Sequence, residues 1–210
     1  VSVTKTTGAD VYSVRNAGEW ATIVVREWSE RREDGTEWPR GEILINSTFG
    51  SWSQYWNAPG VRFRQFLVGL DFDYVFDRFM GRALHQFDGD KSVEGLKRDA
   101  LKLRRKRWLS RKAARLVFDE IDENISTESV EGFINGCAAV EQECGALWNE
   151  NKVRPSELDD IRSMLSEPWC RTETRYNPAA LGFWRDLWPE FVAALRAELA
   201  ESKEAQPCAN

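Results

Sequence analysis

Trp20-Ala-Thr-Ile-Val-Val-Arg-Glu-Trp28 is the stretch on which the fold turns. It is β-branched and aromatic, with Gly18 before it and a polar cluster after it, and it reads as a strand. Upstream, Val11-Tyr12-Ser13-Val14 offers an edge strand. Downstream, Ser29 to Gly41 carries Asp34-Gly35 and Pro39, which is turn chemistry without periodicity. Glu42-Ile-Leu-Ile-Asn-Ser-Thr48 is a further strand, and after Gly50 a short run holds Trp52 and Tyr55-Trp56, closed by Asn57-Ala-Pro-Gly60. Short strands on short links imply an antiparallel meander, which needs cover on its apolar face. Phe63, Phe66, Leu67 and Leu70 follow helical spacing, and Val75, Phe76, Phe79 and Met80 continue that cover.

From about residue 91 the chain reads as helical throughout. Val130, Phe133, Ile134, Cys137, Val140, Cys144, Leu147 and Trp148 trace a stripe that Ser126 or Thr127 would cap. Pro155 and Ser156-Glu-Leu-Asp159 open a shorter helix, with Ser156 placed three residues before an acid. Asn177-Pro178 is a cap followed by a first-turn proline. Leu181, Trp184, Leu187, Trp188, Phe191 and Leu195 form the last stripe, which Pro189 should kink or interrupt. The expected fold class is therefore α+β: a small antiparallel sheet covered by helices over 1–88, a helical module over 89–203, and a mobile tail over 204–210.

The chain has 210 residues, 42% of them hydrophobic and 30% charged, with a formal net charge of −5. This is a globular composition with enough chain for a core. No apolar run is long enough to span a bilayer, and the first residues lack a basic segment leading into an apolar one, so neither a membrane span nor a secretory leader is expected. His85 is the single histidine, which removes histidine-based metal sites and triads within one chain. Nucleotide-binding glycine loops, the G-x-S-x-G elbow and H-E-x-x-H are all missing from the sequence. Cys137 and Cys144 lie seven apart on a helix, about 10.5 Å, too far for a disulfide; with no C-x-x-C pair, they read as buried thiols in a reducing compartment. Neither enzymatic activity nor a cofactor or metal is expected.

The net charge is unevenly distributed. Residues 1–80 hold 9 basic and 11 acidic side chains, residues 81–116 hold 12 and 4, and residues 117–210 hold 8 and 19. Lys97, Arg98, Lys102, Arg104, Arg105, Lys106, Arg107, Arg111, Lys112 and Arg115 form the basic segment, with Trp108 inside it and Asp99 its sole acid from 97 to 115. At 100° per residue, Arg104 to Arg107 encircle a helix. One of them would face any core, and burying an unpaired cation is costly. The segment is thus a helix clear of the core, a break between two helices, or a surface for an anionic partner. Phosphate backbones are one such partner, with Trp108 available to stack on a base. The acidic stretch beginning at Asp119, Glu120, Asp122 and Glu123, or an acidic protein, is another; simple solvation is the third.

Five of the ten tryptophans fall between residues 20 and 56. Trp52 and Trp56 share a strand face, which suits core packing; with Tyr55 they would otherwise form an exposed aromatic patch anchoring a protein interface. Asp71, Asp73 and Asp77 carry three carboxylates within seven residues, a thin basis for a metal-dependent nuclease, since further ligands are needed. The acidic helices over 119–167 could also imitate a phosphate chain.

The run Gly41-Glu-Ile-Leu-Ile-Asn-Ser-Thr-Phe-Gly-Ser-Trp-Ser-Gln-Tyr-Trp56, followed by Phe63-Arg-Gln-Phe-Leu-Val-Gly-Leu-Asp-Phe-Asp-Tyr74, resembles a family of small phage and prophage proteins of unassigned function. Those share an I-L-I-x-S-x-x-G-x-W-x-x-x-W stretch and then F-x-x-F-L-x-x-L-x-x-D-Y, over residues 10–80. The resemblance implies a phage-encoded accessory protein in the cytoplasm of a bacterial host, and supplies no active-site residues. Such proteins often bind host machinery. The functional expectation is a non-enzymatic binding protein that inhibits or modulates a host nucleoprotein complex, of anti-CRISPR or other anti-defence type. The alternative is a direct DNA- or RNA-binding regulator using residues 97–115.

Overall fold

The stretch from Trp20 becomes the second of four strands. The structure, a computed structural model, describes residues 7–33, 35–149 and 153–204, with 147–149 and 203–204 as backbone alone. Strands β1 (Ala9–Asn16), β2 (Glu19–Arg31), β3 (Glu37–Ser47) and β4 (Gly50–Trp56) form one antiparallel sheet in that order. After them come α1 (Phe63–Val68), α2 (Phe72–Met80), β5 (His85–Asp88), α3 (Gly89–Arg105), α4 (Arg111–Asn124), α5 (Val130–Asn149), α6 (Pro155–Leu165), β6 (Glu173–Tyr176), α7 (Pro178–Asp186) and α8 (Trp188–Glu204). The fold is α+β, as expected. It divides into two units, Val1–Leu84 with Tyr176–Asn210, and His85–Arg175.

In the sheet unit, β1 and β2 are joined by Ala17-Gly18, both at positive φ (49° and 94°). That is the two-residue turn whose twist matches its flanking strands. The register places Tyr12 opposite Ile23, Ile23 opposite Ile45, and Ile45 opposite Trp52. One apolar row therefore crosses all four strands on a single face. Val25 and Ile43 form the next row, and α1, α2, α7 and α8 cover both. Gly41 marks where the cover comes closest: a Cβ there would lie 2.1 Å from the Phe63 ring. Arg64 on α1 ties the cover to the sheet, donating to Glu198 of α8 at 2.9 Å and to Asp10 of β1. Tyr12 donates its hydroxyl to the same Glu198 at 2.8 Å.

Two expectations about this unit change. The Ser29–Gly41 loop is mostly strand, since β2 runs to Arg31 and β3 starts at Glu37. Side-chain pairs hold the extension: Arg40 bonds Glu30 at 2.6 Å, and Trp28 stacks on Tyr55. Pro39 is tolerated because β4 ends opposite Gly41, leaving that part of β3 an edge. The helical module expected over 89–203 ends at 175, because α7 and α8 belong to the sheet unit. Their wide stripe of Ala180, Phe183, Leu187, Trp188, Phe191 and Leu195 supplies apolar cover that the short α1 and α2 cannot. Asn177 caps α7, accepting from the Ala179 N–H, and its own N–H donates to the Leu84 carbonyl at 2.8 Å. The chain thus returns beside the point where it left. Pro189 falls in the first turn of α8, and the expected interruption occurs at Leu187.

The His85–Arg175 unit is a helical bundle with its own core of Leu96, Leu109, Val117, Ile121, Phe133, Val140 and Ile161. It also holds strand β6, paired with β5, where helix alone was expected. Buried Ser92 explains the pairing locally: its hydroxyl donates to Asp88 O and accepts from the Glu173 N–H, both at 2.8 Å. Ser129, not Ser126 or Thr127, caps α5, accepting from Gly132 N–H. Helix α6 begins at Pro155, with Glu157 rather than Ser156 satisfying its first turn. Cys137 and Cys144 are buried, and burial raises their thiols to about 11 and about 12, so both are inert at neutral pH. The expected tail beyond Glu204 and the side chains of Leu147 and Trp148 lie outside the described residues. Among the described residues, no helix is long and apolar enough to cross a membrane.

Candidate nucleic-acid interface

The basic segment is a break between two helices. Helix α3 ends at Arg105, and five residues later Ser110 caps α4, accepting from Ala113 N–H at 3.1 Å. In between, Arg107 adopts φ 63°, its N–H reaches Arg104 O, and Trp108 N–H reaches Leu103 O. This pair of bonds closes a helix through a left-handed residue that is usually glycine. The turn is held from within. Leu109 is buried in the bundle core, and the Ser110 N–H donates to Glu157 Oε1 at 2.6 Å. Glu157 also accepts from the Arg154 N–H and guanidinium, each at 2.9 Å. Burial pushes the Glu157 carboxyl upward, but those bonds from Arg154 and Ser110 outweigh it and leave it at about 2.

With the backbone pinned, the cations point outward. Lys97 pairs with Asp122, and Lys102 with Asp99, which Arg171 also engages. Burial raises the Asp99 carboxyl, yet Lys102 and Arg171 together hold it below the usual range. Among the described residues, Arg98, Arg104, Arg105, Lys106, Arg107, Arg111, Lys112 and Arg115 have no acidic partner within 4.0 Å. Lys106 instead sits 4.8 Å over the ring of Trp108, which is 51% exposed. Among the described residues, the acidic stretch foreseen as an intramolecular partner therefore engages only Lys97, through Asp122, while Lys102 pairs with Asp99 inside the segment itself.

Helix α4 is charged against its own dipole. Arg111, Lys112 and Arg115 crowd its positive N-terminal end with no acid in the first turn, while Asp119, Glu120, Asp122 and Glu123 occupy its other half with no base in the last turn. Each such placement near a terminus costs about 0.3–1 kcal/mol where the stabilising arrangement is the reverse. At the acidic end, burial and then the charges of Glu123 and Glu143 raise the Glu120 carboxyl. Beside the basic end lies a groove of about 370 Å³, floored by Leu101, Ala114 and Phe118 and rimmed by Arg104, Arg111 and Arg115, with Asp119 at one end. Residues Leu101 and Phe118 carried no functional signal in the sequence; only the pairing of α3 with α4 brings them together.

Residues 1–197 match the model of a family described as a phage family. The chain belongs to this phage family. Its match extends through the helical unit, well beyond the residue 10–80 motif. Neither a curated protein nor a solved structure matches this phage protein.

The other sites expected of it fare differently. Trp52 and Trp56 are not an exposed patch. Trp52 packs on Phe76, Phe79 and Phe183, and Trp56 is buried against Phe63 and Phe66. Their shared parity on β4 turns both toward the core, leaving Tyr55 exposed on the opposite face. Asp71 caps α2, accepting from Tyr74 N–H, and Asp73 accepts from the Tyr176 hydroxyl at 2.7 Å. No group of three or more metal-ligating side chains gathers among the described residues.

The left-handed Arg107 yields a test of the turn. A non-glycine residue there carries on the order of 1 kcal/mol of strain, partly offset by the greater unfolded-state freedom of glycine. Arg107→Gly is expected to stabilise the protein by about 0.5 kcal/mol, read as a higher urea midpoint. A clearly lower midpoint would contradict this account of the turn.

Proposed function

We propose that this phage protein is a non-enzymatic binding protein that engages the phosphate backbone of nucleic acid through the α3–α4 turn. The observation carrying this reading is the reversed charge of α4, whose three cations join five more around the turn in having no acidic partner within 4.0 Å among the described residues. An arrangement that works against the helix's own stability is accounted for if an anion completes it. Each phosphate contact by lysine or arginine releases condensed counterions, so affinity falls steeply with salt. In a bacterial host cytoplasm, the same contact made on nucleic acid held by a host complex would give the anti-defence role, including inhibition of a CRISPR effector. Phage-family membership supports that setting without singling out a target.

Fluorescence anisotropy with labelled 20-nucleotide DNA and RNA, across a salt series, tests the reading. Wild type is expected to bind with a steep negative slope of log affinity on log salt. Replacing Arg104, Arg105, Lys106 and Arg107 by alanine should weaken binding at least about a hundredfold and flatten the slope by roughly 3. Equal binding by wild type and this variant would overturn the proposal.

A further inference from the structure

Resting on that reading, we infer that the nucleic acid bound at the α3–α4 turn is single-stranded, with unpaired bases seated on apolar surfaces on both sides of the basic turn. A phosphate finds its partners on the arginine rim of the groove but gains nothing from a floor of Leu101, Ala114 and Phe118. Leu101 is 43% exposed in that floor, and apolar surface left open between arginines suits the flat face of a base. In a duplex that face is hidden by stacking, and only base edges and backbone are presented. A strand with splayed bases offers both chemistries at once: charge for Arg104, Arg111 and Arg115, and a π-face for the floor.

The far side of the turn repeats the pattern. A second hollow of about 210 Å³ is lined by Lys102, Lys106, Trp108, Met164 and Arg171, together with acids Asp99 and Asp160. Asp99 is already engaged by Lys102 and Arg171. Trp108 therefore offers a stacking ledge beside Lys106, while Lys102 and Arg171, both held on Asp99, and Asp160 also line the hollow. Arg104 lines the first groove and Lys106 the second, so the end of α3 carries charge from one hollow to the other. A continuous strand crossing the turn meets apolar surface, cations, and apolar surface again. The groove rim carries three arginines against one acid, a charge balance that complements a polyanion; an acidic peptide is the competing occupant that poly-glutamate probes.

The test uses the full chain and labelled dT20, rU20, a 20-base-pair duplex and poly-glutamate at about 100 mM salt. Either single strand is expected to bind at least tenfold tighter than the duplex, with the DNA and RNA arms reporting which strand is preferred. Trp108→Ala, at an exposed position, should weaken single-strand binding roughly tenfold. Leu101→Ser, which removes the apolar floor without adding charge, should do likewise while leaving duplex affinity within twofold, its folding checked by circular dichroism. Duplex binding as tight as single-strand binding would overturn the inference even in wild type, as would poly-glutamate binding as tight as dT20. If neither variant affects dT20 binding while the four-alanine variant abolishes it, the single-strand inference fails and the nucleic-acid reading survives. If the four-alanine variant binds as wild type does, both fail.

Discussion

Phe76→Ala is expected to destabilise the sheet unit by about 3–5 kcal/mol, the range for truncating a fully enclosed phenylalanine. Phe76 has no exposed surface, and five aromatic rings surround it. Phe72 lies at 5.1 Å, Trp52 at 5.4 Å, Phe79 at 5.8 Å, Phe183 at 6.2 Å and Trp184 at 6.4 Å between ring centroids. Most of these contacts are edge-to-face, the arrangement that adds to simple burial. The neighbours come from β4, α2 and α7, so they cannot close together over the hole without shifting whole elements. Seven of the ten tryptophans belong to this unit, so intrinsic fluorescence during urea unfolding reports on it directly. A loss below about 1 kcal/mol would show that the cluster is not the keystone of this core. Phe76→Leu should cost visibly less.

Acid is expected to loosen the helical unit through Glu157. Its carboxyl is held at about 2 in the folded chain against an ordinary 4.5. Because the folded value is the lower one, the stabilisation is fully present above about 4.5 and is lost as pH falls toward about 2. The difference corresponds to roughly 3 kcal/mol. Glu157→Gln removes the charge that the Ser110 and Arg154 N–H groups address, and should cost about 2–3 kcal/mol at neutral pH. Its stability should then vary less between pH 5 and 2 than that of wild type. Urea midpoints followed by far-ultraviolet circular dichroism across that range give the comparison. Equal acid sensitivity in the two proteins would exonerate Glu157. The same variant should weaken nucleic-acid binding, since Glu157 fixes the backbone from which the cations project.

The strands were legible because β-branched residues alternate where one sheet face is buried, as at Ile23, Val25, Ile43 and Ile45. The extension of β2 and β3 past Trp28 was not, because it rests on cross-strand partners such as Arg40 with Glu30 that no local pattern announces. The last two helices are legible as helices, but their place in the sheet unit is not. Periodicity shows which face of α7 and α8 is apolar; it carries no information about which core receives it. The basic segment was visible from charge alone, and a break between helices was among its readings. Its apolar floor was not, since Leu101 and Phe118 stand seventeen residues apart on different helices. Trp56 shows the limit in reverse: composition hinted at an interface, whereas strand parity already turned it inward.

The return of the chain at Asn177, hydrogen-bonded to the Leu84 carbonyl, also fixes an order of events during synthesis. All four strands leave the ribosome before His85, but α7 and α8 follow only after the whole His85–Arg175 unit has been made. At roughly 5–20 residues per second, that interval lasts on the order of ten seconds. During it, the row through Ile23, Ile45 and Trp52 has only α1 and α2 for shelter. The nascent protein therefore passes through a window in which a sticky half-covered sheet is exposed to chaperones, and slowing translation between residues 85 and 175 prolongs it.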